Sequence, residues 1–254
     1  MLSFDRLMVC DIDNTLIGNR SSLKRLFQMI KSSPIKIAFG VATGRNLKLI
    51  YEVLEEWNIP QPNFFISSVG SELFYGKEMQ FNCEWKQWLN YRWNAEKVKE
   101  ALSSHKDLTL QQKDRQNFYK VSYYIDEEST LDTKEIKKIL HERDISCNVI
   151  KSHGILLDVL PVRCSKGLAL HYFVDKWKLS LDHVLVAGDS GNDISMLCGE
   201  VLGVIVGNHS PEVEILRGEP RVFFAPGKFA QGIIDGIEHY NFLGDIKPDP
   251  LNEG

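Results

Sequence analysis

Asp11 and Asp13, in the stretch VCDIDNT, follow an apolar run and stand two residues apart. Acids at such a place can simply cap the next helix. They can also mark the carboxyl end of a buried strand, where α/β proteins bind their ligands. The choice depends on what else reaches the same rim. ATGR brings Thr43, Gly44 and Arg45, GDSGND brings Asp189, Ser190, Asn192 and Asp193, and SKG places Lys166 at the start of a helix. A cation is unfavourable at a helix start, which points to a use for Lys166. Acids converging on one rim repel each other unless a cation joins them, and an all-oxygen set favours Mg²⁺. Thr43, Lys166 and backbone amides at helix starts would then hold an anionic group such as phosphate. In that setting Asp11 would attack phosphorus, and Asp13 would protonate the leaving oxygen and then take a proton from water. Lys166 and Mg²⁺ would neutralise the charge on the transferring group.

The elements that must hold these residues follow from periodicity. RLMVCDID is a continuous apolar run, as in a strand covered on both faces. SSLKRLFQMIKSS and NLKLIYEVLEEWNI carry apolar residues at helical spacing, with the buried strand IKIAFGVATGR between them and NFFISSVGSELFY as a third strand entering a turn. The same grammar resumes with the helix SKGLALHYFVDKWKL, the strand and loop HVLVAGDSGND, the short helix ISMLCGE, the strands LGVIVGN and RVFFAP, and the helix KFAQGIIDGIEHY. This alternation predicts a doubly wound, mainly parallel Rossmann-like core sheet. The middle of the chain differs. FYKVSYYID alternates strictly, with Phe118, Lys120, Ser122 and Tyr124 on one face, as in a half-exposed antiparallel strand. LDTKEIKKILHERD reads as an amphipathic helix and CNVIKSHGILLDVLP as a strand pair turning at His153 and Gly154. Residues 81–161 are therefore expected to form an inserted α+β domain, with 1–80 and 162–254 as the α/β core and 244–254 as a disordered tail. Trp85, Trp88, Leu89 and Trp93 fall at helical spacing and are read as packing, not as a sugar platform.

Composition sets limits. Hydrophobic residues make up 43% and charged residues 25%, ordinary for a globular chain, and the formal charge of -4 gives no basic surface suited to nucleic acid. No run is long and apolar enough for a membrane span, and Asp5 and Arg6 interrupt any leader-like core. Cys10, Cys83, Cys147, Cys164 and Cys198 are scattered and odd in number, so they are read as buried thiols in a reducing cytoplasm.

DIDNT, ATGR, SKG and GDSGND, in that order, resemble the four motifs of the haloacid dehalogenase superfamily of aspartate-dependent phosphohydrolases, and the insert resembles the type-2 cap of its sugar-phosphate phosphatases. SSVGSELFYG, YKVSYYID, SHGILLDVLPVRCSKG and FAQGIIDGIEHY are similar to the sucrose-phosphate phosphatase family and to the terminal domain of sucrose-phosphate synthase. The resemblance implies hydrolysis of sucrose 6-phosphate through an aspartyl phosphate. Asp11 would be the nucleophile and Asp13 the acid/base. Mg²⁺ would be held by Asp11, Asp13 (through its carbonyl), Asp189 and Asp193, and phosphate by Thr43, Gly44, Lys166 and Asn192. Arg45, Lys120 and Ser152 would meet sugar hydroxyls. It leaves open another disaccharide or hexose phosphate, mannosylfructose phosphate among them. A sugar phosphomutase and a non-catalytic module partnering a sucrose-phosphate synthase also stay open. Two departures stand out: Asn14 occupies a position where the superfamily more often has Gly, and SHGILLDV approaches Asp158 through apolar residues.

Overall fold

The computed structural model describes residues 4–76, 78 and 80–246, so most of the expected tail, 247–254, lies outside the described residues. In chain order the elements begin β1 (Arg6–Cys10), α1 (Arg20–Ser32), β2 (Ile37–Ala42), α2 (Leu47–Trp57), β3 (Phe64–Ser67), β4 (Glu72–Tyr75) and β5 (Gln80–Phe81). Then come α3 (Cys83–Leu89), α4 (Ala95–Leu102), β6 (Leu108–Leu110), β7 (Val121–Ile125), α5 (Thr133–His141), β8 (Cys147–Ser152) and β9 (Leu156–Pro161). The chain closes with α6 (Lys166–Trp177), β10 (Val184–Gly188), α7 (Ile194–Leu197), β11 (Leu202–Ile205), β12 (Val222–Phe224) and α8 (Ala230–His239).

One sheet has the order β12-β11-β10-β1-β2-β3-β4-β5, parallel from β12 to β3 and antiparallel at β4 and β5. The chain leaves β1 in one direction through β2 and β3, and in the other through β10 to β12. The crevice at the carboxyl ends of β1 and β10 is therefore the switch point of the winding. The residues Leu7 to Cys10 of β1 are wholly buried because both faces are covered. Leu7 and Val9 pack in a core with Leu170 and Phe173 of α6, while Met8 and Cys10 pack in a second core with residues of α1, α2 and α8. Each such buried side chain contributes about 1.5–3 kcal/mol, so the strand end carrying Asp11 is a rigid platform. Helix starts are fixed locally: Asn19, Asn46 and Ser165 accept hydrogen bonds from the backbone N–H of Ser22, Leu49 and Leu168 at 3.0, 3.0 and 3.1 Å.

The antiparallel addition of β4 and β5 goes beyond the expected third strand entering a turn. Its cause is local: Ser68 and Val69 adopt left-handed φ values of 51° and 60°, which reverse the chain onto β3. A second, antiparallel sheet, in the order β6-β7-β9-β8, is formed between β5 and β10 in sequence. β9 lies inside that sheet, which explains the apolar approach to Asp158. The expectation of a half-exposed β7 is corrected in part. Tyr119, Val121, Tyr123 and Ile125 are buried as expected, but Lys120 and Ser122 on the polar face are also only 5% and 0% exposed. A buried lysine needs a partner, and Lys120 Nζ finds Ser122 Oγ at 2.8 Å and Asp158 Oδ1 at 3.4 Å.

Trp85, Leu89 and Trp93 are core residues, whereas Trp88 is half exposed with the Arg163 guanidinium 4.3 Å above its ring. The cysteines correct a uniform reading. Cys10 and Cys164 are buried and Cys147 and Cys198 partly so, but Cys83 is exposed. It begins α3, whose inward positions are taken by Trp85 and Leu89. Among the described residues, no helix is long and apolar enough to cross a membrane.

Candidate active site

The backbone N–H of Asp11 still bonds to β10, donating to Ala187 O at 2.9 Å, and the chain then leaves the sheet in a single wide turn over Ile12–Leu16. Asn14 sits in that turn at φ 59°, a conformation asparagine tolerates better than most residues. That accounts for the departure from glycine at this position. The turn aims the buried Asp11 and the part-exposed Asp13 to one side, where both line a cavity of about 310 Å³.

The floor of the site is a buried charge cluster. Lys166 Nζ, completely buried, donates to Asp11 Oδ1 and Asp193 Oδ1, each at 2.7 Å. Asp193 Oδ2 accepts from the backbone N–H of Asp189 and Ser190, each at 3.0 Å, which tightens the loop after β10. Thr15 Oγ1 donates to Asp189 Oδ1 at 2.9 Å. Lys166 can enter this cluster because Gly167 lets α6 approach closely. A Cβ there would stand 1.8 Å from the Ser195 carbonyl oxygen. Gly167→Ala is therefore expected to push α6 off α7, to cost roughly 1–3 kcal/mol of stability, and to lower activity along with it. Thermal melting checks the first effect; an unchanged melting temperature would contradict it.

Asp11, Asp189 and Asp193 can each bring a carboxylate oxygen within 4.8 Å of the others. With these three acids facing one ammonium, the buried site has excess negative charge. Burial, and after it the charge of Asp193, raises the Asp189 carboxyl to about 7. Burial also pushes Asp11 well up, joined by Asp193 and Asp189 and opposed by Lys166. Desolvation alone would lower Lys166, but Asp11 and Asp193 outweigh it and hold it above its ordinary range. A hard divalent cation fits this donor set, since it would compensate the charge that burial makes expensive. Asp13 is outside the cluster. Arg45 grips it in a two-pronged pair, Nε to Oδ2 at 2.8 Å and NH2 to Oδ1 at 2.7 Å. That hydrogen bonding raises the Arg45 pKa further.

The other expected residues divide. Thr43, Gly44, Arg45 and Asn192 line the cavity beside Asp11, and the buried Oδ1 of Asn192 has no partner among the described residues. Lys120 also lines it, from the second sheet. Ser152 does not: it is buried at the end of β8, and its hydroxyl has no partner among the described residues. Sequence reasoning missed Gln111, Arg115, His153 and Asp158, which also line the cavity. They come from a loop, a turn and a central strand, and no shared spacing links them; only the pairing of β7 with β9 sets Lys120 and Asp158 beside each other.

Solved structures place this architecture in a class. The haloacid dehalogenase subclass IIB sugar phosphatase BT4131 has the same fold, with a TM-score of 0.66 at 18% identity over 93% of this chain and 99% of that one. The sucrose-phosphatase of Synechocystis sp. PCC6803, solved with sucrose and phosphate, reaches a TM-score of 0.90 at 28% identity over 94% of this chain and 99% of that one. Residues 4–241 match the family described as sucrose-6F-phosphate phosphohydrolase, and the chain belongs to that family. Sucrose-phosphatase 1 of Nicotiana tabacum is 33% identical over the whole chain, which spans 63% of the length of that relative. The mannosylfructose-phosphate phosphatase of Agrobacterium fabrum is 29% identical over 92% of this chain and 96% of its own.

Proposed function

We propose that the protein is a Mg²⁺-dependent phosphatase that hydrolyses a sugar phosphate, with sucrose 6-phosphate as the leading substrate. The observation that carries this reading is Asp11 at the rigid end of β1, paired with the buried Lys166 and facing the cavity that Asp13 also lines. Asp11 attacks phosphorus as the bond to the sugar oxygen breaks, and Asp13 donates a proton to that oxygen. Asp13 then takes a proton from the water that attacks the aspartyl phosphate, releasing phosphate and restoring Asp11. Thr43, Gly44 and Asn192 line the phosphate end and Lys166 offsets its charge. Asp11 and Asp189, with the Asp13 carbonyl, would hold Mg²⁺, which supplies electrostatic neutralisation of the phosphoryl group. Asp193, whose two oxygens already accept from Lys166 and from the backbone of Asp189 and Ser190, would support the metal ligands and Lys166.

Residues 81–161 act as the cap in this reading, covering the sugar and excluding bulk water. Arg45 and Lys120 line the cavity where sugar hydroxyls would lie. A phosphomutase would want several cap arginines near the site, and of Arg92, Arg115 and Arg143 only Arg115 lines the cavity. Intact Asp11, Asp13 and Lys166 favour catalysis over a purely binding role beside a sucrose-phosphate synthase.

The test is phosphate release from sucrose 6-phosphate, mannosylfructose phosphate and a set of hexose phosphates in Mg²⁺ buffer. The expected result is a kcat/KM for sucrose 6-phosphate at least about tenfold above the others, lost on chelation, since a site built for particular hydroxyls rejects analogues lacking them. Faster turnover of mannosylfructose phosphate would transfer the proposal to that substrate. Silence on every ester would end the phosphatase reading.

A further inference from the structure

The hairpin turn between β8 and β9 forms one lip of the cavity, through His153 and Leu156. Its backbone is left-handed at His153, φ 52°, and at Gly154, φ 74°, so the turn is tight and the direction of its N–H groups is fixed. The N–H of Gly154 points away from the second sheet and donates to Glu212 Oε1 at 2.7 Å. Glu212 belongs to the turn Pro211–Leu216, which follows β11 in the first sheet. Among the described residues this is the hydrogen bond that joins the hairpin 151–156 to the first sheet's side of the cavity. Beside it, Gly191 lies so close to the hairpin that a Cβ would stand 2.0 Å from the Lys151 carbonyl oxygen. Gly191 sits between Ser190 and Asn192, both of which line the cavity. The contact thus sets the sugar-side lip in register with the phosphate-side loop. The opposite lip is tied separately, by Asn46 Nδ2 donating to Asp114 O at 3.0 Å and Asn117 Nδ2 to Ser71 Oγ at 2.8 Å.

We propose that Glu212 is a positioning residue: its carboxylate latches the His153–Gly154 turn onto the turn Pro211–Leu216, which the Ser210 N–H ties to the loop after β10 by donating to Asp189 O at 2.8 Å, and so holds the cavity closed around a bound sugar phosphate. The inference rests on the phosphatase reading for its kinetic consequences, but not for its structural one. A carboxylate accepting from a backbone N–H is a charge-assisted bond, strong enough to bias closure. The second oxygen, Oε2, is buried without a partner among the described residues, so the bond from Gly154 is the one hydrogen bond the carboxylate contributes to the latch. Glu212 does not line the cavity, so its influence reaches substrate only through the hairpin.

The experiment compares the wild type with Glu212→Ala and Glu212→Gln. It uses sucrose 6-phosphate, p-nitrophenyl phosphate and hydrogen exchange across residues 150–157. Loss of the bond is expected to raise KM for the sugar phosphate roughly tenfold in the Ala variant, with kcat within about twofold. The Gln variant keeps an acceptor oxygen and is expected within about threefold of wild type. Hydrolysis of p-nitrophenyl phosphate, which has no sugar for the lip to cover, stays unchanged in both. Exchange at the turn accelerates in the Ala variant alone. If Ala leaves both KM and exchange at wild-type values, the latch is refuted. Equal damage in Ala and Gln, or parallel loss of p-nitrophenyl phosphate hydrolysis, refutes it as well by showing general disruption. Should the wild type hydrolyse no sugar phosphate, the functional reading fails, and exchange at the turn still decides whether Glu212 latches it.

Discussion

Asp11→Asn is expected to fold normally and to lose at least about 10⁴-fold in phosphate release, the scale seen when a nucleophile acting with its partners is removed. An amide matches a carboxylate in shape, so Asn keeps an oxygen for the Lys166 ammonium that now donates to Asp11 Oδ1 at 2.7 Å. What disappears is the negative charge that makes the oxygen nucleophilic towards phosphorus. The same substitution has a second, opposite consequence for stability. Burial, and after it the charges of Asp193 and Asp189, raises the Asp11 carboxyl well above its ordinary range, although Lys166 opposes them. A carboxyl raised in the folded state contributes stability that is present below its unfolded pKa and is lost as the pH climbs through its folded value. In metal-free buffer near neutral pH the neutral Asn avoids that loss. Asp11→Asn should therefore melt a few degrees higher than wild type, each 1 kcal/mol being worth about 2–4 °C in a chain of this size. Addition of Mg²⁺ should narrow the difference, because a cation compensates the wild-type carboxylate. Residual turnover above about 1% of wild type would remove Asp11 from its role. A lower melting temperature in metal-free buffer would mean that Asp11 stabilises the cluster instead of straining it.

The chemistry was legible at the positions where local sequence decides geometry. The apolar run before Asp11 specifies a strand covered on both faces, and hydrophobic burial of Leu7 to Cys10 then fixes where the carboxylate emerges. Ser165 as a cap and Gly167 as a spacer are likewise local, and they determine that Lys166 points into the cluster. The rest of the cavity lining is another matter. Lys120 was expected to meet sugar hydroxyls, but its burial beside Asp158 was not legible, because that partner is 38 residues away and meets it only once β7 pairs with β9. The same applies to Glu212, whose acceptor oxygen and Gly154 donor are separated by 58 residues. The turn after β3 was legible, but the antiparallel return of β4 onto β3 was not, because Ser68 and Val69 are left-handed without being glycine and only Gly70, φ 92°, carries a turn signature there. Sequence periodicity shows which face of an element is apolar. It does not show which buried polar residue will find a counterpart on another element.

Lys166→Met is expected to be among the most destabilising single changes in the chain, at about 3–5 kcal/mol. Methionine fills a comparable volume, so little of that loss comes from an empty cavity. The cause is electrostatic. Lys166 Nζ bonds Asp11 Oδ1 and Asp193 Oδ1, and its removal leaves three buried acids with no ammonium among them. Activity should fall with stability, because the same ammonium offsets the charge of the transferring group. A second substitution separates charge from packing. Asp193→Asn preserves an oxygen able to accept the backbone N–H groups of Asp189 and Ser190, now held by Asp193 Oδ2 at 3.0 Å each, while removing one negative charge. If charge is decisive, Lys166→Met with Asp193→Asn will be more stable than Lys166→Met alone, and the coupling across the double-mutant cycle will be large, as expected for residues in direct contact. Mg²⁺ should also raise the melting temperature of Lys166→Met by more than it raises that of wild type, since the ion then supplies the only strong positive charge in the cluster. A double variant no more stable than Lys166→Met would assign the loss to packing. The buried lysine would then be a filler of space, and the phosphoryl group's charge would have to be offset by other residues.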